Sequence, residues 1–161
     1  MPPPETELCL FGVARLLRDG QRMPLGARKA LALLAVLAVD GPSSRARLAA
    51  LLWPDQDTQA ARRNLRRELF RLNSFAAAPV AHADGDLAMS PALPVDWVQW
   101  RDSAARGDDA GALAMASAQV LDGLDGAAGA EFDAWLAGTR ARLASQASNS
   151  APATPSKPSS T

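Results

Sequence analysis

The stretch that decides the fold covers residues 57–74 and reads DTQAARRNLRRELFRLNS. At about 100° per residue, this spacing predicts a helix with an apolar stripe on one side, formed by Ala61, Leu65, Leu69 and Leu72. The far side carries Gln59, Ser74 and the outward arginines Arg63, Arg66, Arg67 and Arg71. Arg62 and Asn73 fall at the border between the two sides, and Glu68 lies near the edge of the apolar stripe.

The arginine side differs from a helix face that serves only solubility, which would mix both signs of charge at helical spacing. Arginine presents a planar fork that donates two hydrogen bonds to one phosphate, or to the O6 and N7 acceptors of guanine. The pattern therefore favours a DNA-binding helix, and the alternative is a solvated helix in an arginine-rich coding background. The predicted DNA-binding residues are Gln59, Arg62, Arg63, Arg66, Arg67 and Arg71. Among them, the border residue Arg62 is expected to contact phosphate rather than read bases.

Two further helices are predicted before this one. The first runs from Gly26 through Val39 and ends at Gly41-Pro42, the order expected of a C-terminal glycine and a following proline. Its predicted apolar face consists of Leu31, Leu34, Leu37, Ala38 and Val39. Ser43 or Ser44 caps the second helix, which runs to about Trp53, and Asp57 or Thr58 caps the third. A basic helix joined to a preceding helix by a short turn is typical of a helix-turn-helix.

Strands are predicted on both sides of the three helices. Residues 8–18 read as one strand, and Asp19-Gly20 turns the chain into a second strand over 21–25. A second hairpin, residues 80–89 with an Asp-Gly turn at its centre, would form a wing. Helices are predicted over 96–106, 109–120 and 130–147. The Ser/Pro-rich composition of residues 148–161 predicts a flexible tail.

This order of elements predicts an α+β fold that is mainly helical. A winged helix-turn-helix would occupy residues 1–92, a partial helical domain residues 93–147, and a disordered tail or linker residues 148–161. The formal net charge is zero, yet residues 1–75 carry 12 Lys and Arg against 7 Asp and Glu, whereas residues 76–161 carry 5 against 10. Such asymmetry hints at a nucleic-acid-binding part joined to a part with another role.

Enzymes and metal proteins are disfavoured by what the chain lacks. Cys9 and His82 are its only cysteine and histidine, so neither an intramolecular disulfide nor a Cys/His zinc site can form. There is no glycine-rich phosphate loop, no Gly-x-Ser-x-Gly and no histidine beside a nucleophile, so we expect no enzyme and no cofactor. The most apolar run, residues 30–39, is too short to span a bilayer, and no signal peptide is evident; we expect a cytoplasmic protein.

Some single residues carry two interpretations. Phe70 falls on the basic side, where packing against the wing or the later helices is favoured over contact with a thymine methyl group. Trp53 is interpreted as an anchor for the second helix rather than a partner contact, and His82 as a surface residue without a role. The pair Arg28-Lys29 opposes the dipole of the first helix and is interpreted as solvated, the alternative being phosphate contact.

Several segments resemble one protein family. Residues 25–34 (LGARKALALL), 48–55 (LAALLWPD) and 60–72 (AARRNLRRELFRL) resemble the three helices of the SARP-type (Streptomyces antibiotic regulatory protein-like) transcriptional activators. Residues 94–100 (PVDWVQW), 121–124 (LDGL) and 131–136 (EFDAWL) are similar to parts of that family's bacterial transcriptional activator domain. Trp97 stands where the family has an aliphatic residue, and the wing matches loosely.

The resemblance implies an OmpR-like winged helix followed by an incomplete tetratricopeptide-like helical segment. It also implies a regulator, most simply an activator, that binds double-stranded promoter DNA as a homodimer on direct repeats and helps to recruit RNA polymerase. The third helix would enter the major groove, the wing would reach the adjacent minor groove, and the loop after Trp53 would face polymerase. The alternative is a winged-helix module that binds proteins and not DNA.

Overall fold

A computed structural model describes residues 5–25, 28–74, 78–108 and 119–150, with side chains described as far as 145. The predicted start of the first helix at Gly26 lies outside these residues, as do most of the predicted helix over 109–120 and the tail from residue 151. Within the described ranges, N-terminal strands are followed by three helices, a hairpin and further helices, which is the order of groups predicted. No described helix is long and apolar enough to cross a membrane.

The N-terminal sheet has three antiparallel strands in sequence order, β1 (Thr6–Cys9), β2 (Arg15–Arg18) and β3 (Gln21–Arg22). The prediction of one continuous strand over 8–18 is therefore wrong. The chain leaves the sheet at Gly12, whose φ of +75° suits glycine because it has no Cβ. The residues on either side of Gly12 pair with a later segment of the chain, through bridges from Phe11 to Val120 and from Val13 to Asp122.

The bridge at Val120 also corrects the end of the predicted helix over 109–120. Gln119 and Val120 are not helical, because their backbone is used in pairing with the N-terminal strand region. The carbonyl of Gln119 accepts a hydrogen bond from the amide of Gly12, and the amide of Leu121 donates to the carbonyl of Leu10 at 2.7 Å. This pairing joins parts of the chain that lie far apart in sequence, so helical periodicity could not reveal it.

Helix α1 (Arg28–Asp40) is the centre of the hydrophobic core. It has no single apolar face of the kind predicted: Leu31 and Val39 are only half-buried, whereas every residue from Ala32 to Ala38 is buried. A helix that is apolar all round is covered on several sides, and α1 indeed contacts other helices and the wing. Gly41, with φ of +83°, ends α1 as predicted, and its amide donates to the carbonyl of Leu37 at 3.1 Å.

Helices α2 (Arg45–Leu52) and α3 (Thr58–Asn73) form the predicted helix-turn-helix. Each begins at a capping side chain that satisfies a free amide of the first turn. Ser44 Oγ accepts from the amide of Arg47 at 3.1 Å, and Asp57 Oδ1 accepts from the amide of Ala60 at 2.8 Å. The sequence offered two neighbouring residues for each cap, and the structure assigns the caps to Ser44 and Asp57.

The predicted wing is confirmed as the hairpin of β4 (Val80–Ala83) and β5 (Asp86–Met89). Its turn residues Asp84 and Gly85 both have positive φ, 49° and 87°. This geometry matches the twist of the flanking strands and favours the Asp-Gly pair. The hairpin folds back on the helices through Leu87, which is 1% exposed and exchanges two backbone hydrogen bonds of 2.9 Å with Ser43.

Two helices are described after the wing, α4 (Asp96–Ala105) and α5 (Ala130–Ser150). The second continues to Ser150, past the predicted end at residue 147. Trp97 and Trp100 of α4 pack with Phe11 in an aromatic cluster, with ring centroids 5.4–6.2 Å apart. Phe132 of α5 is fully buried. The apolar residues of these helices belong to one core that is continuous with the winged helix.

Polar contacts also attach the later segments to the winged helix. The carboxylate of Asp96 accepts hydrogen bonds of 2.8–3.1 Å from the amides of Leu10 and Phe11, where the chain leaves β1. Burial raises the pKa of Asp96, and hydrogen bonds from these amides oppose that shift. Asp96 therefore satisfies two backbone donors that the sheet leaves unpaired.

Arg140 on α5 attaches that helix to the loop that begins at Val120. Its guanidinium donates to the carbonyls of Val120 and Leu121 and forms a double hydrogen bond with the carboxylate of Asp125, at 2.8 and 3.1 Å. The hydrogen bond from Arg140 holds the pKa of Asp125 below its ordinary value. Arg28 at the start of α1 donates to the carbonyl of Asp125 at 2.7 Å, so the same loop is held from two helices.

We expect Asp96→Ala to lower the free energy of unfolding by about 1–3 kcal/mol, because the amides of Leu10 and Phe11 lose their acceptor. Urea unfolding followed by circular dichroism measures this change from the midpoint and slope. Asp102→Ala removes a carboxylate on the same helix that is 54% exposed, and should change stability by less than about 0.5 kcal/mol. Equal stability of the two variants would contradict an anchoring role for Asp96.

Candidate nucleic-acid interface

The outer side of α3 is exposed to solvent along its length. We define the arginine face as the exposed side chains of Gln59, Arg62, Arg63, Arg66 and Arg67. Helix α3 is held in place by its other side, where Ala61, Leu65 and Leu72 are each at most 3% exposed. The packing of this stripe orients the arginine face away from the core, as helical spacing predicts.

The guanidinium groups of the arginine face have no partner among the residues that the structure describes. In the described ranges, Arg62, Arg63, Arg66 and Arg67 form no hydrogen bond or ion pair with another side chain or with the backbone of another residue. Arginine carries its positive charge at every accessible pH and can donate five hydrogen bonds. These charges lie side by side and form no ion pair with an acid of the described residues, which favours an anionic ligand.

A groove of about 560 Å³ lies between the arginine face and the start of α2. Gln59, Arg62, Arg63 and Arg66 line it from α3, and Arg45 and Ala46 line it from α2. Arg45 was not singled out from sequence, where it appears only as the first residue after the Ser44 cap. Its placement gives the groove a further cation opposite the arginines of α3.

Arg71 behaves differently from the rest of the predicted site. Its guanidinium donates to the backbone carbonyl of Leu25 at 3.2 Å and to Glu68 Oε1 at 3.3 Å, and its side chain is 48% exposed. These contacts attach the C-terminal part of α3 to the segment that precedes α1. Arg71 thus has a structural task that helical spacing could not indicate, because Leu25 is distant in sequence.

The core side of α3 is also shifted from the predicted stripe. Glu68 is 9% exposed and belongs to the buried side, whereas Leu69 is only half-buried. The Oε2 atom of Glu68 has no hydrogen-bond partner in the part of the chain that the structure describes. The ion pair with Arg71 keeps this carboxylate at the border of the core, a position that an apolar pattern alone assigns to leucine.

Phe70 contradicts the packing that the sequence favoured. Its side chain is 79% exposed, so it packs neither on the wing nor on α4 or α5. It projects from the same side of α3 as Arg63 and Arg66, which precede it by seven and four residues. The arginine face therefore carries one large apolar side chain near its C-terminal end.

The wing is held beside α3 by polar contacts. Arg45 at the start of α2 donates to the carbonyl of Gly85 at 3.2 Å and contacts His82 Nδ1 at 3.0 Å. Asn73, the last residue of α3, accepts from the amide of Val80 through its side-chain oxygen at 3.2 Å. His82 is exposed, as the sequence predicted, and it also has a partner in α2 that the sequence did not indicate.

The remaining candidates from sequence have structural roles. Trp53 is 6% exposed, which confirms it as the anchor that ends α2, and Lys29 Nζ lies 5.3 Å from the centre of its ring. Arg28 donates to the loop carbonyls of Gly123 and Asp125. Arg28 is exposed, as the predicted solvated pair requires, whereas Lys29 is half-buried, and both side chains also make contacts within the protein.

Comparisons with known proteins bear on the fold. No protein-family model and no curated protein matches the chain. Among solved structures, it is similar to Mycobacterium tuberculosis EmbR in complex with a low-affinity phosphopeptide, with a TM-score of 0.64 and 20% sequence identity. The match covers 91% of this chain and 44% of the EmbR chain, so this chain spans less than half of that protein. The likeness supports an α+β fold of winged-helix type.

Arg71 and Arg67 should differ in their effect on stability. We expect Arg71→Ala to lower the free energy of unfolding by about 1 kcal/mol, because its hydrogen bonds to Leu25 and Glu68 are lost and Glu68 stays buried. Arg67→Ala removes an exposed side chain without a partner in the described ranges and should stay within about 0.5 kcal/mol of the parent. Urea titrations of the two variants measure both values, and a larger loss for Arg67→Ala would refute this division of roles.

Proposed function

We propose that this chain is a sequence-specific DNA-binding transcriptional regulator, with α3 as the helix that enters the major groove. The observation that carries the proposal is the arginine face, whose cations are exposed and unpaired among the described residues. A groove lined by arginines from two helices suits the phosphate backbone, which dominates affinity for DNA. Arg63 and Arg67, both exposed on the outer side of α3, would reach base edges.

The wing supports the same proposal by its position. It is attached to α2 through Arg45 and through Ser43, which precedes that helix. It is attached to α3 through Asn73. A wing held in this way would approach the minor groove next to the major groove occupied by α3. We propose double-stranded promoter DNA as the partner, with Gln59, Arg62, Arg63, Arg66 and Arg67 as the contacts and Arg71 as a structural support.

The finer parts of the proposal rest on the sequence resemblance to SARP-type activators. They are activation of transcription in the cytoplasm, binding as a homodimer to direct repeats, and contact with RNA polymerase through the loop after Trp53. Residues 54–57 of that loop are exposed, so the loop is accessible to a partner. Footprinting together with selection of bound sequences from random DNA would give the operator and the spacing of its half-sites.

We expect Arg63→Ala and Arg67→Ala each to weaken specific DNA binding about tenfold or more, because each removes a cation from the proposed interface. Fluorescence anisotropy with a selected operator at physiological salt measures the dissociation constants. Arg101→Ala on α4 is the matched control, since that arginine is 57% exposed and lies outside the arginine face. All three variants should unfold at the same urea concentration as the parent. Unchanged operator binding by both α3 variants would overturn the assignment.

Salt dependence separates the proposal from the alternative of a winged-helix module that binds only proteins. Contact with several phosphates releases counterions, so the logarithm of the association constant should fall steeply and linearly with the logarithm of salt concentration. Arg62→Ala, which removes an expected phosphate contact, should reduce the magnitude of this slope by about one. A protein interface with an apolar core depends weakly on salt. Absence of DNA binding at low salt, with a salt-insensitive protein partner, would favour the alternative.

A further inference from the structure

Phe70 is the part of the basic surface that phosphate binding does not explain. Exposed apolar residues are common one by one and need no explanation from exposure alone. The position of Phe70 is what sets it apart, because its ring is 79% exposed on the side of α3 that carries the unpaired arginines. The fold makes little use of it: in the described part of the chain, Phe70 has no ring–ring contact.

Helical geometry places Phe70 in line with the proposed DNA contacts. Gln59, Arg63, Arg66 and Phe70 follow one another at intervals of four, three and four residues, which puts them in one row. Arg62 and Arg67 lie on either side of this row. At 1.5 Å per residue the row is about 16 Å long, which is comparable to about five base steps of 3.4 Å. A surface that follows the row over its full length therefore also lies against Phe70.

The chemistry of the ring limits what it can contact there. A phenyl ring has no hydrogen-bonding group, so it cannot pair with phosphate oxygens or with the polar edges of guanine, cytosine or adenine. The C5 methyl group of thymine is the apolar group that a base presents in the major groove. Phosphates would be bound by the guanidinium groups beside Phe70, which leaves the ring free to contact a methyl group between them.

We propose that Phe70 is a specificity-determining residue that contacts the C5 methyl group of a thymine in the major groove. This inference rests on the proposed function, and it adds a base preference that the arginines alone would not produce. The arginines select for guanine and bind phosphate, whereas Phe70 selects for thymine at one position of the half-site.

The first test compares the DNA sequences that three forms of the full chain select from a random pool: the parent, Phe70→Ala and Val13→Ala. Alanine suits an exposed helix position, so Phe70→Ala should fold as the parent does. Val13 is the other large hydrophobic residue that is exposed in the described ranges, at 41%, and it lies outside α3. Parent and Val13→Ala should select the same site with a fixed thymine, whereas Phe70→Ala should lose the preference at that one position.

The second test removes only the methyl group. Replacing the fixed thymine by deoxyuridine in the selected site should weaken binding by the parent about three- to fivefold, the value of one buried methyl group. Phe70→Ala should bind the two DNAs equally, and Phe70→Leu, which keeps an apolar side chain, should retain part of the difference. Far-ultraviolet circular dichroism and urea unfolding confirm that each variant is folded.

The outcomes separate this inference from the proposed function. Selection of a site by the parent, with Phe70→Ala choosing the same site and deoxyuridine having no effect at any thymine, overturns the role of Phe70 and keeps DNA binding. Weaker binding by Phe70→Ala without any effect of deoxyuridine also overturns the methyl contact, because the ring would then act on the sugar or on a protein neighbour. Failure of the parent to enrich any DNA overturns both.

Discussion

The burial of α1 on all sides is the constraint on which the other elements depend. The run from Ala32 to Ala38 is buried without interruption, and each residue in it is at most 4% exposed. A helix turns through a full circle in about 3.6 residues, so a buried run of this length must be covered from every direction. Helices α2 and α4 and strand β5 supply contacts around it. The winged helix and the later helical segment consequently share one core.

This shared core explains how α3 keeps its place in the fold although its outer side carries several like charges. The apolar residues Ala61, Leu65 and Leu72 secure the helix, and the arginines on its outer side take no part in packing. The two ends of α3 are also defined, by the Asp57 cap at one and by Arg71 and Asn73 at the other. The orientation of the arginine face therefore depends on apolar burial and capping, and its chemistry is free to serve a ligand.

Several of the acids that bring the net charge of the chain to zero make contacts away from the arginine face. Asp40 accepts from Arg47 at 2.7 Å and from the indole of Trp135 at 2.9 Å. Asp96 accepts from the amides of Leu10 and Phe11, so Asp40 and Asp96 join the two halves of the chain. Asp125 pairs with Arg140 within the second half. Total charge thus says little about the surface here, because acids engaged in such contacts do not neutralise arginines on α3.

Local signals in the sequence determined the helix-turn-helix, the caps, the Asp-Gly wing and the side of α3 on which the arginines lie. Each of these depends on residues within a few positions of one another, through helical spacing, an N-cap oxygen or the positive φ of a turn. Tertiary structure decided the rest. The break of the first strand at Gly12, the task of Arg71 and the exposure of Phe70 depend on what lies next to them in space. Helical and strand spacing within one sequence does not show which distant residues come into contact. Only the folded structure could therefore show these features.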